Sequence, residues 1–286
     1  MNRIVFKRQL SENVFEMKVE APLVARSRRA GQFVIVMVEE EFGERIPLTI
    51  ADADKEAGTI TIIFQTVGAT TMKLSRKGVG DAIAAVLGPL GRPTEIRGEN
   101  GERPGRVVCV GGGIGVAPMH PIAQALKAAG NEVTIIMGAR NVGLFVMKEE
   151  MAAIAGGRLI LVTDDGSSGR KGLVTDPLKE LCEKGEVDEV IAIGPPIMMK
   201  FCALTTKPYG VKTVASLNTI MIDGTGMCGG CRVSVGGETK FVCVDGPEFD
   251  AHQVDWDLML KRMGAFKPQE MAAREHECNL MKAAGI

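Results

Sequence analysis

Aromatic residues are scarce in this chain of 286 residues: 4% in all, with one Trp and one Tyr. That scarcity excludes a stacking platform for nucleic-acid bases, which needs several exposed rings. A dominant sign of charge is missing too, since 34 Lys and Arg stand against 35 Asp and Glu, a formal net charge of -1. Neither nucleic acid nor an anionic membrane surface is an expected partner, because both demand concentrated positive charge. No apolar run approaches the roughly 20 residues that span a bilayer. The start, Met1-Asn2-Arg3-Ile4-Val5-Phe6, enters a strand-like pattern without a signal-peptide profile. Histidine is limited to His120, His252 and His276. None has triad-like neighbours, so each is expected to be structural. The seven cysteines suit a reducing cytoplasm better than a disulfide framework.

What is present is enough apolar sequence, 45% hydrophobic residues, to bury two ordinary domains and a small third one. Short β-branched runs recur over 1–97, at Ile4–Phe6, Val14–Val19, Phe33–Val38 and Thr59–Phe64, as in an antiparallel barrel or sandwich. A stretch rich in Gly and Pro, from Gly88-Pro89 to Arg103-Pro104-Gly105, reads as a linker. Over 104–212 the rhythm changes to strands alternating with helices, the pattern of a doubly wound parallel sheet. Residues 213–250 form a cysteine-bearing module, and 251–286 a helical tail. The expected class is multidomain β plus α/β.

In the second region, Val110-Gly111-Gly112-Gly113-Ile114-Gly115-Val116-Ala117-Pro118 follows a strand and opens a helix. A dinucleotide puts its pyrophosphate at such a place, where small residues allow close approach and the helix N-terminus offers free N–H groups. A tight turn is the plainer reading. Asp164-Asp165 follows the third strand of the same sheet. Carboxylates there accept from ribose hydroxyls and repel a 2′-phosphate, which favours NAD(H), whereas a helix cap or turn is the alternative. Arg140 after the second strand pulls towards a 2′-phosphate. In the β region, Arg45-Ile46-Pro47-Leu48-Thr49 and Thr66-Val67-Gly68-Ala69-Thr70-Thr71 each read as the end of a strand. Arg45 suits a pyrophosphate, Thr49 a flavin ring, and Gly68 to Thr71 a phosphate cradle. Exposed arginines and Thr-rich turns are also common without any ligand.

The third region carries the strongest signal. Asp223-Gly-Thr-Gly-Met-Cys228-Gly-Gly-Cys231, with Cys243 beyond, gives the spacing D-x4-C-x2-C-x11-C. Plant-type [2Fe-2S] proteins use C-x4-C-x2-C and a distant fourth Cys, so Asp223 stands where the first thiolate would be. Four glycines in the loop permit positive φ and let backbone N–H groups reach sulfur. Cys228-x2-Cys231 alone would also suit zinc or a redox dithiol. With zinc, the chain would be a nucleotide-binding regulatory module.

With the cysteine loop last in order, these motifs resemble the ferredoxin-NADP reductase superfamily over about 212 residues. Over nearly the whole chain they are similar to electron-transfer subunits of dihydroorotate dehydrogenase. The loop itself most resembles that of small subunits of electron-bifurcating, NADH-dependent reduced ferredoxin:NADP oxidoreductases. The resemblance implies an antiparallel β-barrel for FAD, a domain for NAD(H) and a [2Fe-2S] module. Arg45, Pro47, Leu48 and Thr49 then match the flavin motif, with Leu48 in place of its aromatic residue, and Thr66, Gly68, Thr70 and Thr71 the pyrophosphate loop. Gly112, Gly113, Gly115 and Pro118 match the nicotinamide-nucleotide motif, and Asp223, Cys228, Cys231 and Cys243 the cluster ligands. The implied partner is a larger flavoprotein and iron-sulfur subunit that binds NADP(H) and ferredoxin. A dihydroorotate-oxidising partner is the alternative, although its electron-transfer subunit has Cys where this chain has Asp223.

Overall fold

The chain is described by a computed structural model, which places residues 2–41, 43–99 and 101–283. The first sheet comprises β1 (Asn2–Ser11), β2 (Val14–Glu20), β3 (Phe33–Met37), β4 (Arg45–Asp54), β5 (Thr59–Gln65), β6 (Ala82–Ile83) and β7 (Ala85–Leu90). Helix α1 (Pro22–Ser27) follows β2, and α2 (Ala69–Arg76) follows β5. Strand order is β6-β1-β2-β5-β4-β3-β7. The two edges, β6 and β7, are separated in the chain only by Ala84, so the sheet curls until its edges meet in a nearly closed barrel. Strand β5 shows the period of two: Ile60, Ile62 and Phe64 fill the barrel, while Ile63 points out against the next domain.

Two expectations change here. Gly88-Pro89 is not linker but lies in β7, pressed on β3: a β-carbon on Gly88 would stand 2.8 Å from Val34 Cγ1. Arg45 to Thr49 does not end a strand but opens β4, paired with β3 from Arg45↔Met37 to Thr49↔Phe33.

The second sheet comprises β8 (Arg106–Gly112), β9 (Glu132–Ala139), β10 (Leu159–Thr163), β11 (Arg170–Lys171), β12 (Glu189–Ile193) and β13 (Lys212–Ser216), all parallel. Between them run α3 (Val116–Ala128), α4 (Lys148–Ala155), α5 (Thr175–Glu183) and α6 (Pro196–Thr206). Side chains alternate across β8: Val107 and Cys109 pack with α3 and α4, Val108 and Val110 with α5 and α6. Burial on both faces explains why these strands read as unbroken apolar runs. The order β11-β10-β9-β8-β12-β13 reverses direction between β8 and β12, which opens a crevice at their carboxyl ends.

The remaining elements are the hairpin β14 (Arg232–Val235) and β15 (Glu238–Phe241), then α7 (Val242–Asp245), β16 (Glu248–Asp250), α8 (Trp256–Met263) and α9 (Lys267–Ala283). Gly236 and Gly237, at φ +61° and +82°, make the two-residue hairpin turn, which needs positive φ at both positions. Strand β16 adds antiparallel to β13, so this region is built into the nucleotide-type sheet. Its core is continuous with that sheet as well: Cys231, Val233, Cys243, Trp256 and Met259 share one apolar cluster with Val108, Val110, Met199 and the barrel residues Phe33 and Ile35. Beyond β16 the described chain is largely helical, in α8 and α9. Helix α9 lies across α2, where Glu277 pairs with Arg76. No helix among the described residues is long and apolar enough to cross a membrane.

Candidate functional site: a cavity beside a cysteine loop

A cavity of about 1000 Å³ lies between the barrel and the carboxyl ends of β8, β9 and β12, the upper end of the range for small-molecule sites. Among the residues singled out in the sequence, Pro47, Leu48, Thr49 and Thr71 line its barrel side, while Gly112, Gly113, Gly115, Pro118, Arg140 and Asp164 line the other. Arg45, Thr66, Gly68, Thr70 and Asp165 do not. Arg45 is exposed at the start of β4. Thr70 is turned inward, its hydroxyl on the Glu44 carboxylate. Gly68 caps α2, and its N–H and that of Val67 both donate to Thr71 Oγ1 at 3.1 Å. Thr66 Oγ1 is directed at the Asn13 carbonyl.

The acidic pair divides in the same way. Asp164 faces the cavity, whereas Asp165 Oδ1 accepts from Ser167 N at 2.9 Å and holds the turn. Hydrogen bonds from Ser167, side chain first, keep the Asp165 carboxyl below its usual range.

The glycine-rich turn has a packing role and an access role. A β-carbon on Gly115 would run into the carbonyl of Ile193, and one on Gly112 into Met198 Sδ, so these two glycines let the β8–α3 turn lie against the β12–α6 turn. Gly113 is different: at φ +55° with open space around it, its backbone faces the cavity. The motifs read from the sequence did not include Gly194, Pro195, Ile197, Met198 and Phe201 after β12, nor Ser216 at the end of β13 and Leu217, Asn218, Thr219 and Met221 beyond it, all of which line the cavity. Gly194-Pro195 was findable from topology, since β12 stands next to β8 where the strand order reverses.

Beyond Met221 the chain enters the cysteine loop. Asp223 Oδ1 accepts from Thr225 N and its Oδ2 from Cys228 N, each at 2.9 Å. These backbone donors, Thr225 first, hold its carboxyl below the ordinary range. The Cys231 and Cys243 sulfurs lie 3.3 Å apart, and Cys243 N points at Cys231 Sγ at 3.4 Å. Gly230 N stands 3.4 Å from Cys228 Sγ. Burial, and secondly the shared proton with Cys231, push the Cys243 thiol up to about 12. A cation entering here must therefore displace protons.

Cys231 and Cys243 form one sulfur pair, while Asp223 meets the backbone N–H of Cys228. No three His, Cys, Asp or Glu side chains among the described residues gather around one point. Gly224, at φ +76°, brings the loop onto the barrel: a β-carbon there would stand 2.7 Å from Ile35 Cγ1 and 2.8 Å from Leu90 Cδ1. Cys109 and Cys202 lie apart from the loop, buried, with thiols raised by desolvation to about 12. Of the histidines, His120 Nδ1 meets the Ala51 carbonyl at 3.2 Å across the two domains, and His252 Nε2 meets Thr206 Oγ1 at 2.9 Å; both are structural.

Comparison with known proteins assigns these features to a class. Residues 109–203 match the oxidoreductase NAD-binding domain, and residues 218–255 the iron-sulfur cluster binding domain of dihydroorotate dehydrogenase B. A protein of Thermotoga maritima, named as a homolog of the electron transfer subunit of dihydroorotate dehydrogenase B, is 47% identical over 285 residues, covering 100% of this chain and 97% of its own. The electron transfer subunit itself from Geobacillus thermodenitrificans is 35% identical, over 88% of this chain and 96% of its own. A solved structure of an NADH-dependent reduced ferredoxin-NADP oxidoreductase, described for flavin-based electron bifurcation, superposes with a TM-score of 0.90 at 46% identity, covering 96% and 97% of the two chains. A ferredoxin NADP+ reductase from Neisseria gonorrhoeae, at 16% identity and a TM-score of 0.57 over 73% of this chain and 90% of its own, shares the fold alone. Fold and site together thus define an oxidoreductase chain with an NAD-binding domain and an iron-sulfur domain. More particularly, the chain belongs to the family of dihydroorotate dehydrogenase B electron transfer subunits and their homologs.

Proposed function

We propose that this chain is the electron-transfer subunit of an electron-bifurcating, NADH-dependent reduced ferredoxin:NADP oxidoreductase. It exchanges hydride with NAD(H) through FAD in the cavity and passes electrons to a [2Fe-2S] cluster in the cysteine loop. The observation that carries this reading is the short run Leu217 to Asp223: its first residues line the cavity, and its last is the first donor of the loop. A bound flavin takes up two electrons as hydride and can release them singly to a cluster.

This chain's own residues bind and align. Pro47, Leu48 and Thr49 form the barrel wall for the flavin ring, and Thr71, with Val67 beside it, meets the phosphate end. Arg45, Thr66, Gly68 and Thr70 support that end from outside the cavity. Gly112, Gly113, Gly115 and Pro118 give the nicotinamide nucleotide close access to backbone, Arg140 flanks it, and Asp164 meets its ribose with Asp165 holding the turn. Asp223, Cys228, Cys231 and Cys243 are the cluster ligands. The apolar majority of the cavity wall excludes water from hydride transfer, for which alignment at near contact is the main requirement.

The partner in this reading is a larger flavoprotein and iron-sulfur subunit that handles NADP(H) and ferredoxin. The name of the Thermotoga relative supports a second reading, a dihydroorotate-oxidising partner. Anaerobic isolation of the native complex tests both. A large NADP-binding flavoprotein with FAD, iron and acid-labile sulfide in the preparation is the expected result. An orotate-binding barrel enzyme selects the second reading, and stoichiometric zinc with no flavin overturns both.

A further inference from the structure

A second cavity, of about 300 Å³, lies between the 92–95 segment, α7 and the strands β12, β13 and β16. Unlike the first, it is built of charge. Glu189, 2% exposed, has Lys212 Nζ at 2.9 Å from Oε1, while its Oε2 has no hydrogen-bond partner and meets only Arg97, at 3.7 Å. Asp245 is paired with Arg92 at 3.6 Å. Asp250 is spent on the N–H of His252 and the amide of Gln253. Glu95 adds a further negative charge; of the nearby cations, Lys212 and Arg97 are held by Glu189 and Arg92 by Asp245. Glu248 is left with one neutral partner, the Thr94 hydroxyl at 2.7 Å.

Position makes this carboxyl group functional rather than merely buried. Pro247 lines the first cavity and Glu248 the second. Ser216, another wall residue of the first cavity, is the register partner of Glu248. One strand therefore partitions the proposed flavin cavity from a polar chamber, and α7, which carries Cys243, leads directly into that strand. An electron arriving on either proposed centre would add negative charge near this half-buried carboxylate, and in such a medium that repulsion would be relieved by taking up a proton.

We infer that Glu248 is a redox-linked proton site: its carboxylate binds one proton from solvent, through the second cavity, when an electron from NADH comes to rest on the neighbouring centres. NADH leaves as NAD+ and gives up a hydride, which is two electrons and one proton. The two electrons are shared between the proposed flavin and cluster or passed on to the partner, the hydride's proton stays with the flavin or leaves to solvent, and the carboxylate takes one further proton from solvent, released again on reoxidation. Desolvation, reinforced by Glu189 and Glu95 and opposed by Thr94 and Lys212, raises the Glu248 carboxyl to about 7, where a small added charge changes its occupancy.

This inference rests on the cofactors proposed above, and its test separates the two. Reduced-minus-oxidised infrared difference spectra of the holoprotein, recorded above neutral pH, should show a new protonated-carboxyl band that shifts in D₂O. The band should be lost in Glu248→Gln and kept in Glu56→Gln, an exposed control. In parallel, the cluster midpoint potential of the wild type should fall with rising pH, towards the limit of about 59 mV per tenfold change in proton activity, and Glu248→Gln should flatten that slope. If the cofactors load and reduce but the band survives in Glu248→Gln, or never forms, the inference is overturned and the electron-transfer reading stands. Absence of any reducible centre overturns both.

Discussion

At the scale of the residue, chemistry depends on which way each side chain turns. Asp164 and Asp165 are indistinguishable as letters, yet one faces the cavity and the other holds its own turn. Asp164→Asn is therefore expected to reduce the preference for NADH over NADPH by about tenfold, roughly 1.4 kcal/mol, with Asp165→Asn affecting stability more than selectivity. Stopped-flow flavin reduction at matched subsaturating nucleotide checks this, and an unchanged ratio in Asp164→Asn would show that the ribose is read elsewhere. Glu248 supplies a stability test of its own. The folded chain keeps its proton up to about 7 while the unfolded chain loses it near the ordinary 4.5, so its contribution is full at low pH and is lost as pH rises through the folded value. Thermal unfolding of Glu248→Gln should match the wild type at about pH 5 and exceed it at about pH 8. The Asp and Cys letters of the cysteine loop stood out in the sequence because their spacing is chemical. The inward turn of Thr70 and the exposure of Arg45 were not, because strand and helix phase decide them and a Thr-rich segment carries no clear phase.

Among the elements, those with an apolar period were readable and those held by context were not. Strands β8, β9, β10 and β12 announce themselves as unbroken Val and Ile runs because both faces are buried. Helix α2, Ala-Thr-Thr-Met-Lys-Leu-Ser-Arg, buries only Thr70 and Leu74 and hides behind its β-branched residues. Strand β16 is three residues long and exists because β13 offers an edge. The tail helix α9 is legible as a helix but not as a fixture: from Lys267 to His276 it is exposed throughout, and burial begins at Glu277, which meets Arg76. Removing residues 267–286 is expected to leave the barrel and nucleotide domain folded, with a thermal midpoint within a few degrees of the full chain. The same truncation should weaken capture of the larger subunit. Co-purification of the truncated chain at full yield would place the interface elsewhere.

On the scale of the whole molecule, the cysteine loop is not an appendage. Cys231 and Cys243 belong to the same apolar cluster as the centre of the parallel sheet and two barrel residues. Stripping the metal with acid or a strong chelator should therefore lower the thermal stability of the entire chain in one cooperative transition, not melt the loop alone. Calorimetry with and without the cluster decides it, and a separate low-temperature transition would show an independent module. Domain order was readable from the sequence, but this continuity was not, because side chains from distant parts of the chain meet only after folding. The two edges of the nearly closed barrel are joined by the single residue Ala84, and Gly224 presses the cysteine loop against β3 and β7. For the proposed electron route this contact has a plain meaning: a side chain added at Gly224 should lift the loop from the barrel and lengthen the gap between cavity and cysteines.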